Sequence, residues 1–296
     1  LHAEPGGLVR YVTTNPSWPD PFVGAAALAS PPGTVRLAPG IQLPQTLQYS
    51  VGLDHQVAKG TTLSVTYTGQ HGFWQFRSRD LNAPLPPAYA GRPDAAWGVV
   101  RQIESSGTQQ SDALSATLRG RVTKWFNGMV QYTVSRVSTD TMGIGSYPAN
   151  DYDLSGEYAR ADYDRTQRLG IYGRVPLATL ADLGVSLTMN SGAPYTEYLG
   201  GDPYGNGRGR ARPAGVPRNS REGDGYAALD LRLSRTMKLD GTKKDGRTLV
   251  FGIDAFNVTN RINYANYVGT VGSPLFGQPM AARSPRQFQL SARFRF

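Results

Sequence analysis

Nine stretches of this chain alternate apolar and polar residues at every second position, and the connections between them alternate strictly between short and long. Side chains on a strand point to opposite faces in turn, so each stretch reads as a ribbon with one apolar and one polar face. The strands are expected at about Leu47–Val57, Leu63–Thr68 (continuing toward Phe76), Leu114–Val122, Met129–Ser135, Arg168–Val175, Leu183–Asn190, Leu229–Ser234, Leu249–Phe256 and Phe288–Phe296. Short connections fall at 58–61, 124–127, 176–182 and 238–246, and long ones at 78–112, 137–162, 191–225 and 257–285. Soluble sandwiches space their turns more evenly. Barrels of the outer-membrane type have short periplasmic turns and long external loops. If Phe296 lies on the periplasmic side, counting backwards places all four short connections there and all four long ones outside.

Composition agrees with a wall that is apolar on one face only. The apolar fraction is 39%, low for a soluble core in 296 residues. No apolar run approaches the length of a membrane helix, which leaves open a wall of strands. Gly 35, Pro 21 and Tyr 16 describe turns, loops and aromatics. The 43 residues before the first strand are punctuated by prolines and read as an irregular, loop-like segment, leaving 44–296 as the wall with its connections. The chain opens on Leu1 with no leader, which reads as a processed or partial start.

Net charge is +9. Arg119, Arg121, Arg168, Arg174, Arg232, Arg293 and Arg295 sit on the polar faces of separate strands rather than in one exposed patch with stacking aromatics. That spread disfavours nucleic acid and points to a basic lumen, with ion pairing and hydration as its plain role. Aromatics near strand ends (Phe73, Trp74, Trp125, Phe126, Tyr195, Tyr226, Phe294, Phe296) fit interface girdles.

The remaining candidates are weak. Asp151, Asp153, Ser155, Gly156, Glu157 and Asp162 fall at the spacing of a twelve-residue calcium loop, with Asp at the last position and a strand rather than a helix following. A solvated acidic loop is the better reading. Gly205–Arg210 lacks the strand–loop–helix setting of a phosphate cradle. His2, His55 and His71 have no partner at metal spacing, there is no cysteine, and no nucleophile–base constellation is visible. Neither a cofactor nor an enzyme activity is expected.

A resemblance adds to this reading. The stretches Gln131–Ser135, Asp162–Arg168, Asn190–Thr196, Asp254–Asn260 and Pro285–Leu290, with Leu63–Gly69 and Arg92–Pro93 before them, resemble in order and spacing the Oar-like branch of TonB-dependent outer-membrane receptors, from about Gln42 to Phe296. The resemblance implies an all-β antiparallel up-and-down meander of about nine strands, forming the C-terminal segment of a barrel of about 22 strands. It also implies an N-terminal plug and energy supplied by the TonB complex, through parts this chain does not contain, so a fragment or truncated relative is expected. Phe288, Leu290, Phe294 and Phe296 match the aromatic final strand that serves the family as its signal to the barrel assembly machinery. The implied setting is the outer membrane of a Gram-negative bacterium, with lipid around the wall and an unidentified solute captured outside. Two alternatives stay open: a plug-less porin or surface adhesin on a similar wall, and a soluble all-β carbohydrate-binding module.

Overall fold

A computed structural model describes residues 10–12, 18–20, 28–177, 181–240 and 246–296. Among these there is no helix. Nine strands form the wall: β1 Gln45–Ala58, β2 Thr61–Asp80, β3 Val100–Arg121, β4 Asn127–Thr139, β5 Gln167–Leu177, β6 Ala181–Asn190, β7 Tyr226–Lys238, β8 Thr248–Phe256 and β9 Gln287–Arg295. Each pairs antiparallel with its sequence neighbours, and β1 and β9 are the two edges of the sheet. All nine expected strands are present in the expected order.

The register turns the sequence alternation into two continuous faces. On one face a row of direct partners runs Val175, Leu183, Leu233, Ile253 and Leu290 across five strands. A second row runs Leu53, Val65, Ala116, Tyr132, Leu169 and Met189. These side chains have no second layer over them: Leu53 is 71% and Leu290 77% exposed. The band ends at a polar rim toward the long connections, where His71, Gln110, Asp112, Arg136 and Gln167 continue the same face. There the Tyr67 hydroxyl donates to the Asp112 carboxylate at 2.6 Å.

The opposite face is polar. One row of partners passes through Arg121, Asn127, Arg174, Gly184, Arg232, Asp254 and Gln289, from β3 to β9.

Short connections close tightly for local reasons. Gly60 takes the left-handed conformation (φ 78°) between β1 and β2, which costs least without a Cβ. Between β3 and β4 the Thr123 hydroxyl accepts from the backbone N–H of Phe126 at 3.0 Å, and the Phe126 ring covers Gly173 of β5. Residues 178–180 of the β5–β6 connection and 241–245 of the charged β7–β8 turn lie outside the described residues.

The structure departs from the sequence reading at the outer end. β2 continues to Asp80 and β3 begins at Val100, so the connection expected at 78–112 contracts to 81–99. The alternation is lost there because the β2–β3 register shifts twice between Gly72 and Arg77, with Trp74 at φ 53°. Bulges of this kind re-aim a strand and break its period. The segment read as irregular also contains pairing: Thr34–Leu37 runs parallel to the start of β3, and Arg10–Val12 pairs with Leu28–Ser30. Residues 1–9, 13–17 and 21–27, and His2 with them, lie outside the described residues.

Candidate functional site

The connections after β2, β4, β6 and β8 fold into one layer at the same end of the wall. Short pairings stiffen them: Ala159–Arg160 with the end of β4, Pro194–Tyr195 with Arg221–Glu222, and Tyr264–Tyr267 with Pro279–Ala282. A parallel bridge between Tyr198 and Thr270 ties the last two connections together.

Arginine–carboxylate pairs hold the layer, and they explain most of the acidic residues. Above its bulges β2 carries Arg77, Arg79 and Asp80; these pair with Asp140 (2.7 Å), Glu104 (2.8 Å) and Arg92 (2.8 Å) respectively. Asp164 is fully buried, accepts from the Val137 N–H at 3.0 Å, and pairs with Arg160 at 2.9 Å. Arg160 reaches on to Glu222 at 2.9 Å. Buried Glu157 faces Arg212 at 2.9 Å and Arg218 at 4.0 Å. The Arg218 Nη2 donates to the Thr139 carbonyl at 2.7 Å, while its Nε and Nη1 have no hydrogen-bond partner, so this buried charge is only partly compensated.

The calcium pattern is absorbed by the same network. Asp151 pairs with Arg208 and accepts from the Asp80 N–H, Asp153 is bonded to Ser155, and Glu157 is held by arginines. Asp162 lies apart from them, in the wall of a separate cleft. Among the described residues no group of three or more His, Cys, Asp or Glu is placed to hold a metal ion. Burial pushes the Asp151 carboxyl upward, against Arg208 and the Asp80 N–H, which pull it down. Gly205–Arg210 is a turn in this network: Asp202 accepts from the N–H groups of Asn206 and Gly207, and Arg208 is the partner of Asp151.

The motif stretches have local structural roles. Asn257 and Asn260 take left-handed conformations (φ 47° and 52°) where β8 ends. The Asn257 side chain bonds both the N–H and C=O of Arg261, and Asn260 accepts from the Arg286 N–H at 3.0 Å. These contacts set the route from β8 to β9. Arg92 locks the β2–β3 connection through Asp80 and the Asn82 carbonyl.

The seven basic wall residues all fall on the polar face. Arg232 pairs with Asp254 at 3.2 Å and Arg174 with Asp182 at 3.7 Å. Arg121 shares their row, Arg119 stands opposite Met129, and Arg293 and Arg295 stand opposite Val250 and Thr248. Arg168 lies in an outer row with Thr133, Asn190 and Tyr226. Phe288, Leu290 and Phe294 of β9 are exposed on the apolar face, with Phe296 beyond the strand end.

Sequence reasoning missed a cleft of about 540 Å³ beside that outer row, between the connections after β4, β6 and β8. Tyr195, Tyr198, Tyr226, Tyr264 and Tyr267 line it, with Arg165 and Arg283. Tyr195 and Tyr267 stack with centroids 5.2 Å apart, so Tyr195 belongs to the cleft rather than to a girdle. Tyr226 also faces the cleft and carries the Arg283 guanidinium 5.5 Å from its ring centre. The only sequence signal was the tyrosine content of the last two long connections.

An antiparallel meander with one apolar face, one polar face and one-sided long connections has a counterpart among protein families. The chain belongs to the outer membrane beta-barrel domain family. The family model matches residues 3–214 and 188–289. This places the chain in the Gram-negative outer membrane, where the apolar face of such a wall turns outward. Among solved structures it is similar to the outer membrane transporter YddB from Escherichia coli (TM-score 0.64, 10% identity, covering 90% of this chain and 34% of that one). It is also similar to the ferripyoverdine receptor of the outer membrane of Pseudomonas aeruginosa bound to ferripyoverdine (TM-score 0.51, 13% identity, covering 84% and 27%). At these identities the likeness is one of fold, and this beta-barrel chain spans about a third or less of each neighbour. No curated protein matches it.

Proposed function

We propose that this chain is the C-terminal barrel portion of a TonB-dependent outer-membrane receptor of the Oar-like kind, taking up a solute captured by its long connections. Under this reading the apolar face meets lipid and the polar face lines the lumen. Arg119, Arg121, Arg168, Arg174, Arg232, Arg293 and Arg295 then supply a basic wall facing a plug carried elsewhere in the protein. Phe288, Leu290, Phe294 and Phe296 act as the signal to the barrel assembly machinery, and β1 and β9 join further wall strands.

The observation that carries the reading is one-sidedness. Every long connection joins a single stitched layer at one end, and that layer holds a cleft opening beside the polar face. Mobile or exposed connections on a rigid scaffold are where recognition resides.

Two measurements test it. The chain contains no cysteine, so single cysteines report orientation cleanly. On intact cells a membrane-impermeant maleimide should label Gly201→Cys in the outer layer and spare Lys124→Cys in a short turn; the reverse pattern would refute the orientation. For energy coupling, cells lacking TonB and cells lacking this protein should fail on a common solute in a utilisation panel. Normal use of every such solute without TonB would exclude the transport role.

A further inference from the structure

Most arginines of the outer layer are paired, and some are not. Arg77, Arg79, Arg92, Arg160, Arg208, Arg212 and Arg221 each have a carboxylate partner within 4.0 Å. Arg101 and Arg261 bond a tyrosine hydroxyl and a backbone carbonyl instead, and the arginines around the tyrosine cleft also lack a carboxylate partner within 4.0 Å. Arg165 donates only to backbone carbonyls, of Asp162 at 3.2 Å and Asp164 at 2.7 Å. Arg283 lies over the Tyr226 ring, and neither it nor Arg168 has a carboxylate partner among the described residues. Burial, with Arg168 and Arg283 nearby, pushes the Arg165 guanidinium below its ordinary value. Arg165 is half-buried while Arg168 and Arg283 are exposed, so their donor groups are open to an incoming anion.

The acidic residues of the cleft limit that anion. Asp224 accepts from the Tyr267 hydroxyl at 2.9 Å and keeps its negative charge. Asp162 lines the cleft as well, so two carboxylates stand with Arg165 and Arg283, and a second negative charge on the anion would be repelled. The other lining surface is aromatic, suited to a ring by stacking. The volume, about 540 Å³, fits a small molecule.

We propose that this cleft binds an aromatic monocarboxylate, its carboxylate held between Arg165 and Arg283 and its ring among the tyrosines. The proposal rests on reading the outer layer as a capture surface and adds the chemical class captured. Arg168 strengthens the field from the wall below, and Tyr264, 43% exposed, offers the most accessible ring.

The test uses the protein purified from outer membranes in detergent, with 4-fluorophenylacetate as probe and fluorine NMR line broadening as readout. The acid should bind saturably, and its neutral amide about tenfold more weakly, the loss expected when a charge-assisted pair goes. Arg165→Gln and Arg283→Gln should each weaken the acid by a similar factor, and Arg283→Lys by less. Arg247→Gln, in a short turn at the other end, should leave binding unchanged. Variants are compared only where β-sheet circular dichroism matches the parent. Equal binding of acid and amide, or Arg variants that bind like the parent, would overturn the proposal; so would displacement by cyclohexylacetate as effective as by phenylacetate. Binding in detergent needs no TonB. Binding without TonB-linked uptake would sink the transport reading alone, and uptake without probe binding would sink this one alone.

Discussion

In the wall, Leu233, Ile253 and Leu290 stand on an apolar face with nothing packed over them, while the buried side chains concentrate in the outer layer and are mostly polar: Asp80, Asp164, Glu157, Arg218. The two regions therefore depend on opposite solvents. The wall needs an apolar medium against its face and satisfies its backbone through the ladder of neighbouring strands. The outer layer is wet outside and builds its interior from ions that neutralise one another. The wall of this outer-membrane beta-barrel chain is thus organised by one apolar face, and its outer layer by paired charges. A perturbation should act on one region and spare the other.

The largest effect should come from breaking the ionic interior. Glu157→Ala leaves Arg218 buried without its carboxylate, and removing one partner of such a pair costs about 3–5 kcal/mol. Hydrogen exchange should show the connections after β4 and β6 opening while β5–β8 amides stay protected. Loss of protection in the wall as well would mean the two regions are not independent.

Next is a charge placed on the apolar face. Leu231 sits mid-strand between Val185 and Ala255, and Leu231→Arg should cost about 2–4 kcal/mol in lipid vesicles if it lies near the bilayer midplane. Urea unfolding in vesicles measures it. A substitution as mild as one in a loop would place the lipid on the other face.

The smallest effect should come from the neighbouring position. Arg232→Ala removes a half-exposed pair with Asp254, a change worth about 0–1 kcal/mol. If Arg232→Ala equals Leu231→Arg in the same urea titration, the sharp contrast between the two faces is lost.

The wall was legible in the sequence because one strand residue in two must be apolar when one face meets lipid, and that period survives in nine separate stretches. The register then follows, since a slip of one residue would send Leu233 to the polar face and Arg232 to the apolar one. The bulges at Trp74 were not legible. A left-handed tryptophan has no sequence signal, and it is what lifts Arg77, Arg79 and Asp80 into the outer layer. The acidic run 151–162 was read by spacing as a weak calcium pattern, when the partners of Asp151 and Glu157 are Arg208 and Arg212, over fifty residues away in another connection.

By itself, then, the sequence determined the strands, their order, the two faces and the side on which the long connections lie, because all of these follow from local period and turn length. The tertiary structure decided which charges cancel and which remain. Arg160 and Arg165 are indistinguishable by local pattern; folding gives the first two carboxylates and leaves the second at a tyrosine cleft with no carboxylate within 4.0 Å. Pairing between distant connections depends on distances that no period encodes, and it is that pairing which leaves the Arg165 and Arg283 side chains without a carboxylate partner at the cleft.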